Sequence, residues 1–296
     1  MPYIAENWAD LLAPGLRKVY DSVFNLQPSN MEVLFNVQSS KKAQEFDLED
    51  GPIGNFTVMS GEVPYEDKVQ GYKTTYTHEE YAKGIKVEKK LIEDDLYNIV
   101  KKRPAQLAVA AARTRETDAA SVLNNAFNSS VTGGDTLPLC STAHTSLNGG
   151  ANQGNSGTSA LSPTNVEATR RLMAAFKDSS DNVINVQPDT LVVPIALEET
   201  AWEIINSKGK VDTAQNNANF HNGKYKLVVW PNYLTSATRW FFCDSTLMKQ
   251  FLNWFDRVQP EFFRDGEFET LLAKYAGRMR YSFGWSDWRW VYGQNP

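Results

Sequence analysis

Cysteine, histidine and long apolar runs are all scarce in this sequence. Its 296 residues contain two cysteines, which are too few for a disulfide framework and suit a reducing cytoplasm. No stretch approaches the ~20 consecutive apolar residues that span a bilayer, and no basic segment followed by an apolar run near the N-terminus indicates a secretory signal. The 30 basic and 35 acidic side chains leave a formal net charge of −5, which disfavours tight binding of nucleic-acid phosphates by bulk charge.

The sequence motifs of several common catalytic chemistries are also missing. GxGxxG after a strand, GxxxxGK(S/T), HExxH and GxSxG do not occur. Of the three histidines, His144 follows Cys140 closely, and the pair could bind a metal if Cys243 and a fourth ligand converged on it. A structural zinc site usually shows two paired ligand clusters, and the sequence offers one. We therefore predict a protein that is not an enzyme, with no catalytic, cofactor-binding or metal-binding residues.

The first half of the chain contains two predicted helices separated by segments without a helical period. Apolar side chains at helical spacing predict a helix over residues 16–24, started by Ala13-Pro14-Gly15. Residues 31–54 lack a sustained period and are expected to form an extended arm. Pro104 fits the first position of an Ala-rich helix over residues 104–128.

The second half begins with a linker-like stretch and then alternates between strand and helix signals. Gly, Ser, Thr and Asn dominate residues 128–164, which predicts a flexible surface segment. The tail is predicted to form one long strand and a shorter one. In chain order the expected elements are a helix from Ser162-Pro163, a buried strand at 191–194, a helix at 197–205, strands at 225–231 and 239–245, a short helix near 246–254 and the tail strands within 262–292.

Residues 56–88 are the most unusual stretch. After Gly71 the side chains alternate at strand period, but neither face is apolar throughout. Two arms of about sixteen residues would reach ~50 Å, whereas a compact chain of this length has a radius of gyration of ~19 Å. We therefore predict a hairpin that projects from the body. An isolated two-stranded ribbon is marginal in water, so contacts outside the subunit are expected to order it.

Four stretches are informative in the order in which they occur along the chain: TGGDTLPLCSTAHTSLNGG, DTLVVPIALEETAWEIINS, NNANFHNGKYKLVVWPNYL and AKYAGRMRYSFGWSDWRWVYG. These stretches and the order of the parts resemble the major capsid proteins of tailed bacteriophages, whose fold was first known from phage HK97. They are most similar to the Mu-like major head subunit family, and the resemblance covers essentially the whole chain.

This resemblance implies an α+β, HK97-like capsid fold with an N-arm, an extended E-loop β-hairpin, a peripheral (P) domain that contains a long spine helix, and an α/β axial (A) domain. The C-terminal strands would return to the P domain. The implied boundaries are 1–50 for the N-terminal arm and helix, 51–88 for the E-loop hairpin, 89–163 and 251–296 for the P domain, 104–128 for its spine helix, and 164–250 for the A domain.

The function implied is that of a major capsid (head) protein, which self-assembles into pentamers and hexamers of an icosahedral phage shell enclosing double-stranded DNA. Its location would be the virion, after assembly in the host bacterial cytoplasm. Its partners would be many copies of itself, scaffolding and portal proteins, and packaged DNA in weak non-specific contact, with no membrane and no cofactor. Because the arm before the hairpin is short, we expect scaffolding to be a separate protein or not to be needed.

The hairpin carries the candidate contacts between subunits. Deletion of residues 60–80 is accordingly expected to leave a folded, soluble subunit that forms no closed particles. Two other functions stay open: an encapsulin-like nanocompartment shell protein, and a carbohydrate-active or carbohydrate-binding protein that uses the C-terminal aromatic residues. The candidate contact residues are Tyr65, Tyr72, Tyr76, Tyr81 and Ile85.

Overall fold

The computed structural model of the protein describes residues 6–59, 61–63, 65, 70–88, 90, 99–146, 150–209, 217–267 and 272–296. These residues form both helices and strands. In chain order the elements are α1 (Glu6–Asn25), α2 (Asn30–Leu34), β1 (Asn36–Ser39), β2 (Gln44–Asp50), β3 (Gln70–Thr77), β4 (Glu79–Glu88), α3 (Ile99–Asn124), β5 (Ser156–Gly157), α4 (Pro163–Ala174), β6 (Thr190–Val193), α5 (Glu198–Asn206), β7 (Lys226–Val229), β8 (Trp240–Cys243), α6 (Ser245–Phe251), β9 (Leu252–Glu267), β10 (Leu272–Trp285) and β11 (Val291–Gln294).

These strands form three sheets. The first has four strands in the order β1-β9-β10-β4, in which β1 runs parallel to β9 and the other neighbours are antiparallel. The second has five strands in the order β5-β11-β8-β6-β7 and mixes parallel with antiparallel pairs. The third is an antiparallel ribbon of β2 and β3 alone.

Helix α3 joins the two larger sheets through two consecutive charged side chains. The Arg115 guanidinium donates two hydrogen bonds to the Asp256 carboxylate of β9, at 2.7 and 3.0 Å. The neighbouring Glu116 carboxylate accepts a hydrogen bond from the Trp230 indole N–H, 2.9 Å away and directly after β7, and another from the Ser29 hydroxyl that caps α2. The side chains of Arg115 and Glu116 are both nearly fully buried. The two sheets therefore share one core built around α3.

The structure confirms a long Ala-rich helix but corrects its start. Ala119 and Ala120 are completely buried, and α3 lies against β10, as the small side chains suggested. Pro104 does not occupy the first helical position, because the helix already includes residues from Ile99 onward. Proline there removes one backbone hydrogen bond within the first two turns. In α1, likewise, Ala13-Pro14-Gly15 lies inside the helix rather than at its start.

The strand pairing of the predicted hairpin was wrong. The alternating residues after Gly71 belong to β3 and β4, which do not pair with each other. Strand β3 pairs with β2, which lies in the predicted extended arm, whereas β4 pairs along its length with β10. His78 is the single residue between β3 and β4, so the chain passes from one sheet to the next without a reversing turn. Side-chain alternation identifies a strand but not its partner.

The predicted flexible segment at residues 128–164 is folded in its described part. Asn155 is fully buried; its amide donates to the backbone carbonyls of Leu139 and Val291 at 2.8 and 3.1 Å, while its carbonyl accepts from the Ser141 N–H. Buried polar side chains thus add to the few apolar residues, such as Leu139 and Leu161, that anchor this segment to the core, and composition alone suggested a linker.

The later elements agree well with the sequence, with two exceptions. Ser162 accepts a hydrogen bond from a backbone N–H at the start of α4, and β6 is completely buried, as predicted. The long strand β9 was not predicted, and β11 joins the five-stranded sheet rather than the sheet that contains β10. None of the described helices has the length and apolar character needed to cross a membrane.

Candidate assembly surface

The ribbon of β2 and β3 turns one face toward its own subunit. Tyr76 on this inner face is only 3% exposed and packs against Phe255 of β9, with ring centroids 5.2 Å apart. Nearby, the Asn253 amide donates to the Asp47 carboxylate at 3.4 Å. Together with the Tyr72–Thr145 contact nearer the tip, these contacts hold the inner face of the ribbon against the body.

The outer face of the ribbon carries two large, half-exposed apolar side chains among polar ones. Phe46 and Leu48 alternate with the inner-face carboxylates along β2 and are 54% and 51% exposed. Their cross-strand partners are Thr75 and Lys73, and the Lys73 ammonium lies 4.3 Å from the centre of the Phe46 ring. Because each side chain is already about half buried, covering the rest of it would be worth roughly 1 kcal/mol, about half the value for full burial.

The segment between β2 and β3 exposes more apolar surface. Phe56 and Val58 have essentially the exposure of an extended free chain. Large apolar side chains clustered at one projecting tip usually indicate an interaction site. The exposed apolar residues described in this tip are Ile53, Phe56, Val58, Met59, Val63 and Tyr65.

A chain of hydrogen bonds holds the base of the ribbon. The Ser40 hydroxyl donates to the Glu45 carboxylate at 2.7 Å, so it can only accept from His78 Nε2–H, 3.1 Å away. His78 Nδ1 then accepts from the Ser282 hydroxyl at 2.9 Å. Burial, reinforced by the nearby Arg280, lowers the pKa of His78 and keeps the ring neutral, although the Glu45 charge opposes this shift. The network joins β2 and β10 through the residue between β3 and β4.

A lowered histidine pKa predicts loss of stability in acid. The unfolded chain gains a proton near pH 6.5, while folded His78 resists it. Stability is therefore complete above about pH 6.5 and declines as the pH falls toward the lower folded pKa. We expect His78→Gln to weaken this decline, measured by urea unfolding between pH 5 and 8. His221, whose pKa burial also lowers, contributes with the same sign, so His221→Gln is the matched variant. An unchanged pH profile in His78→Gln would contradict the assignment.

The structure places the candidate contact residues of β3 and the tip differently from one another. Tyr65 is almost fully exposed and stays a predicted contact between subunits. The Tyr72 hydroxyl lies 3.0 Å from the Thr145 hydroxyl of its own chain. Tyr76 is buried within the subunit, so its selection as an intermolecular contact was wrong.

The two candidates on β4 also contact their own subunit. Tyr81 stacks on Tyr281 of β10 with ring centroids 4.7 Å apart. Ile85 packs on a small apolar cluster that includes Leu16 and Tyr20 of α1. The reason is that β4 belongs to the four-stranded sheet and not to the ribbon. Sequence reasoning overlooked Phe46, Leu48, Phe56 and Val58. For Phe56 and Val58, the available signal was the apolar-rich stretch IGNFTVM at residues 53–59.

The residues considered for a metal site are engaged otherwise. His144 Nδ1 lies at hydrogen-bond distance from the Asp135 carboxylate, 2.6 Å away, and the His144 ring stacks on Trp288 with ring centroids 4.3 Å apart. Burial raises the pKa of the Cys140 and Cys243 thiols, which opposes the thiolate form that binds metals. Within the described residues no three potential ligands cluster closely enough to hold a metal ion.

Comparisons with known proteins agree on one family and one fold. A family model described as phage capsid protein matches residues 71–293. The bacteriophage JBD30 capsid is similar with a TM-score of 0.60 and 13% identity, covering 71% of this chain and 92% of that chain. The capsid of cyanophage P-SCSP1u is similar with a TM-score of 0.59 and 12% identity, covering 91% of this chain and 88% of that chain. The capsid of an empty GTA particle is similar with a TM-score of 0.59 and 14% identity, covering 92% of both chains. No curated protein sequence matches. The predicted HK97-like α+β fold is thus confirmed.

Proposed function

The chain belongs to the phage capsid protein family, and from this premise we propose that it self-assembles into the pentamers and hexamers of an icosahedral phage head that encloses double-stranded DNA. It is a major capsid shell protein, located in the virion capsid and present there in many copies. Within the family, the resemblance of its sequence segments favours the Mu-like major head subunit branch.

The uncovered ribbon is the observation that supports this mode of assembly. Its inner face packs on its own subunit, whereas Phe46, Leu48 and the apolar side chains described in the tip are each at least half exposed. A two-stranded ribbon alone is only marginally stable, and its edges carry unpaired backbone groups. A neighbouring copy in the shell would supply both the burial and the hydrogen bonds.

The strand pairing favours a revised division of the chain. We propose that the E-loop comprises β2, the tip and β3, instead of residues 51–88. The four-stranded sheet with α3 would form the P domain, including β4. The A domain would consist of the five-stranded sheet with α4 and α5, and would include the C-terminal strand β11 in addition to residues 164–250.

The proposed partners follow from this role. A net charge of −5 suits a shell lining that touches packaged DNA weakly and without sequence preference. Scaffolding and portal proteins would complete the assembly in the host bacterial cytoplasm. The contribution of this chain would be structural and not enzymatic.

Sedimentation and negative-stain microscopy of the purified full-length chain test the proposal. We expect rings of five or six subunits or closed particles, and double-stranded DNA inside particles recovered from phage-producing cells. A chain that stays monomeric or dimeric at every concentration would contradict the proposed assembly. Closed particles that enclose an enzyme instead of DNA would favour a nanocompartment shell.

A further inference from the structure

The solvent side of helix α5 carries an acidic and aromatic patch. Glu199, Trp202, Glu203 and Asn206 recur at helical spacing and are all exposed. Trp202 is 58% exposed, which is uncommon for the residue type that most often anchors protein interfaces. The helix sequence EETAWEIIN contains three glutamates and no basic residue. We call this surface the α5 patch.

The solvent side of helix α4 has the opposite character. Ala168, Leu172 and Ala175 form an exposed stripe of small and aliphatic side chains, in which Leu172 is 50% exposed. Beside the stripe, Arg170 and Arg171 share the single carboxylate of Glu167, at 2.8 and 2.9 Å. Two guanidinium groups on one carboxylate leave a surplus positive charge. We call this surface the α4 patch.

The two patches lie over different halves of the same sheet. Helix α4 packs on β8 and β11, whereas α5 packs on β6 and β7 at the other side of the strand order. A contact between two different patches of identical chains is heterologous, and such contacts close into rings when the rotation between copies permits. A chain with complementary patches on separate parts of one layer is therefore suited to ring formation.

We infer that in the capsid shell the α5 patch of one copy packs on the α4 patch of the next copy around each ring. Trp202 then covers the Ala168–Leu172–Ala175 stripe, and Glu199 and Glu203 face the guanidinium of Arg171. Charge complementarity selects the occupant, because the acidic patch has no basic residue of its own and the basic patch has a surplus. An aromatic ring beside an arginine adds a cation–π contribution. This inference rests on the proposed function.

A charge-reversal cycle on the full-length chain tests the pairing. Arg171→Glu alone, and Glu199→Lys with Glu203→Lys, should each reduce ring and particle formation about tenfold or more, measured by sedimentation and negative stain. The combination of all three substitutions should restore assembly. All three side chains are exposed, so circular dichroism should remain that of the unsubstituted chain. The unfolding midpoint should fall only slightly in Arg171→Glu, because this substitution breaks the exposed pair with Glu167.

Each outcome of the cycle decides a separate question. If the unsubstituted chain forms no rings, the proposed function itself fails. If it does and every variant assembles equally well, the ring contact is wrong and the proposed function stands. If the single reversals block assembly and the combination does not rescue it, the two patches do not pair and each contacts another partner.

Truncation of Trp202, the proposed anchor of the contact, tests ring formation independently of charge. Trp202→Ala should weaken ring formation about tenfold or more, because a central interface tryptophan commonly dominates the binding energy. Val183→Ala is the matched control, since Val183 is also strongly exposed but belongs to neither patch. Equal assembly by the two variants would overturn the inference.

Discussion

Replacement of Arg115 by alanine is expected to lower the free energy of unfolding by about 3–5 kcal/mol. The guanidinium forms two hydrogen bonds with Asp256, and both side chains are less than a tenth exposed. Its removal leaves a buried carboxylate that, among the described residues, keeps the Trp254 indole N–H as a side-chain donor at 2.9 Å. The same guanidinium lies 4.9 Å from the Trp254 ring, so packing is lost together with charge.

Two further variants separate the buried pair from charge removal in general. Arg115→Lys keeps the charge but cannot reproduce the bidentate geometry, so its loss of stability should be intermediate. Arg17→Ala removes an arginine from the exposed pair with Asp21, whose atoms are 4.0 Å apart, and should change stability by less than about 0.5 kcal/mol. Urea unfolding followed by tryptophan fluorescence gives these values. A loss of less than 1 kcal/mol in Arg115→Ala would show that α3 does not depend on this pair.

The sequence predicted those elements whose periodicity reflects local burial. Ala201, Ile204 and Ile205 of α5 recur at helical spacing and pack inward, and β6 reads as an uninterrupted apolar run because it is buried on both faces. In these segments, local pattern and tertiary environment agree. The order of helices and strands along most of the chain was therefore accessible without coordinates.

Partners distant along the chain were not accessible in the same way. Nothing in the alternation of residues 70–88 distinguishes pairing with β2 from pairing with β10, because both give the same period. The folded segment at residues 128–164 is held in part by a buried amide, Asn155, whose partners include backbone groups far apart in sequence. Backbone carbonyls leave no trace in composition, so a polar segment held by them reads as a linker.

The candidate assembly surface was predicted in its principle but not in its residues. Length and pattern predicted a projecting hairpin of residues 56–88, whereas the structure has a ribbon of β2 and β3 whose inner face packs on its own subunit. Tyrosines were chosen as contacts because they stand out on alternating strands, yet Tyr76 and Tyr81 turn toward their own sheet. The uncovered residues, such as Phe56, lie in an irregular tip where no period indicates which side chains are exposed.

Serine at three apolar tip positions is expected to abolish closed particles and leave the subunit folded. The proposed triple variant is Phe56→Ser, Val58→Ser and Met59→Ser. All three side chains are highly exposed in the subunit, so their removal costs little folding energy. In a shell where a neighbour buries them, each would contribute roughly 1.5 kcal/mol or more, and the contact would weaken about a thousandfold.

The triple serine variant tests the tip more cleanly than deletion of residues 60–80 does. Deletion of residues 60–80 would also take away Tyr76 and His78, which are 3% and 5% exposed, so that deletion is now expected to destabilise the subunit itself. The triple variant leaves both Tyr76 and His78 in place. Leu26→Ser with Val183→Ser is the control, because it removes two strongly exposed apolar side chains outside the tip. Sedimentation should show particles for the control and free subunits or small oligomers for the triple variant. Particles of normal size from the triple variant would mean that the tip stays in solvent after assembly, and the ribbon would then have to engage its neighbour through Phe46 and Leu48 alone.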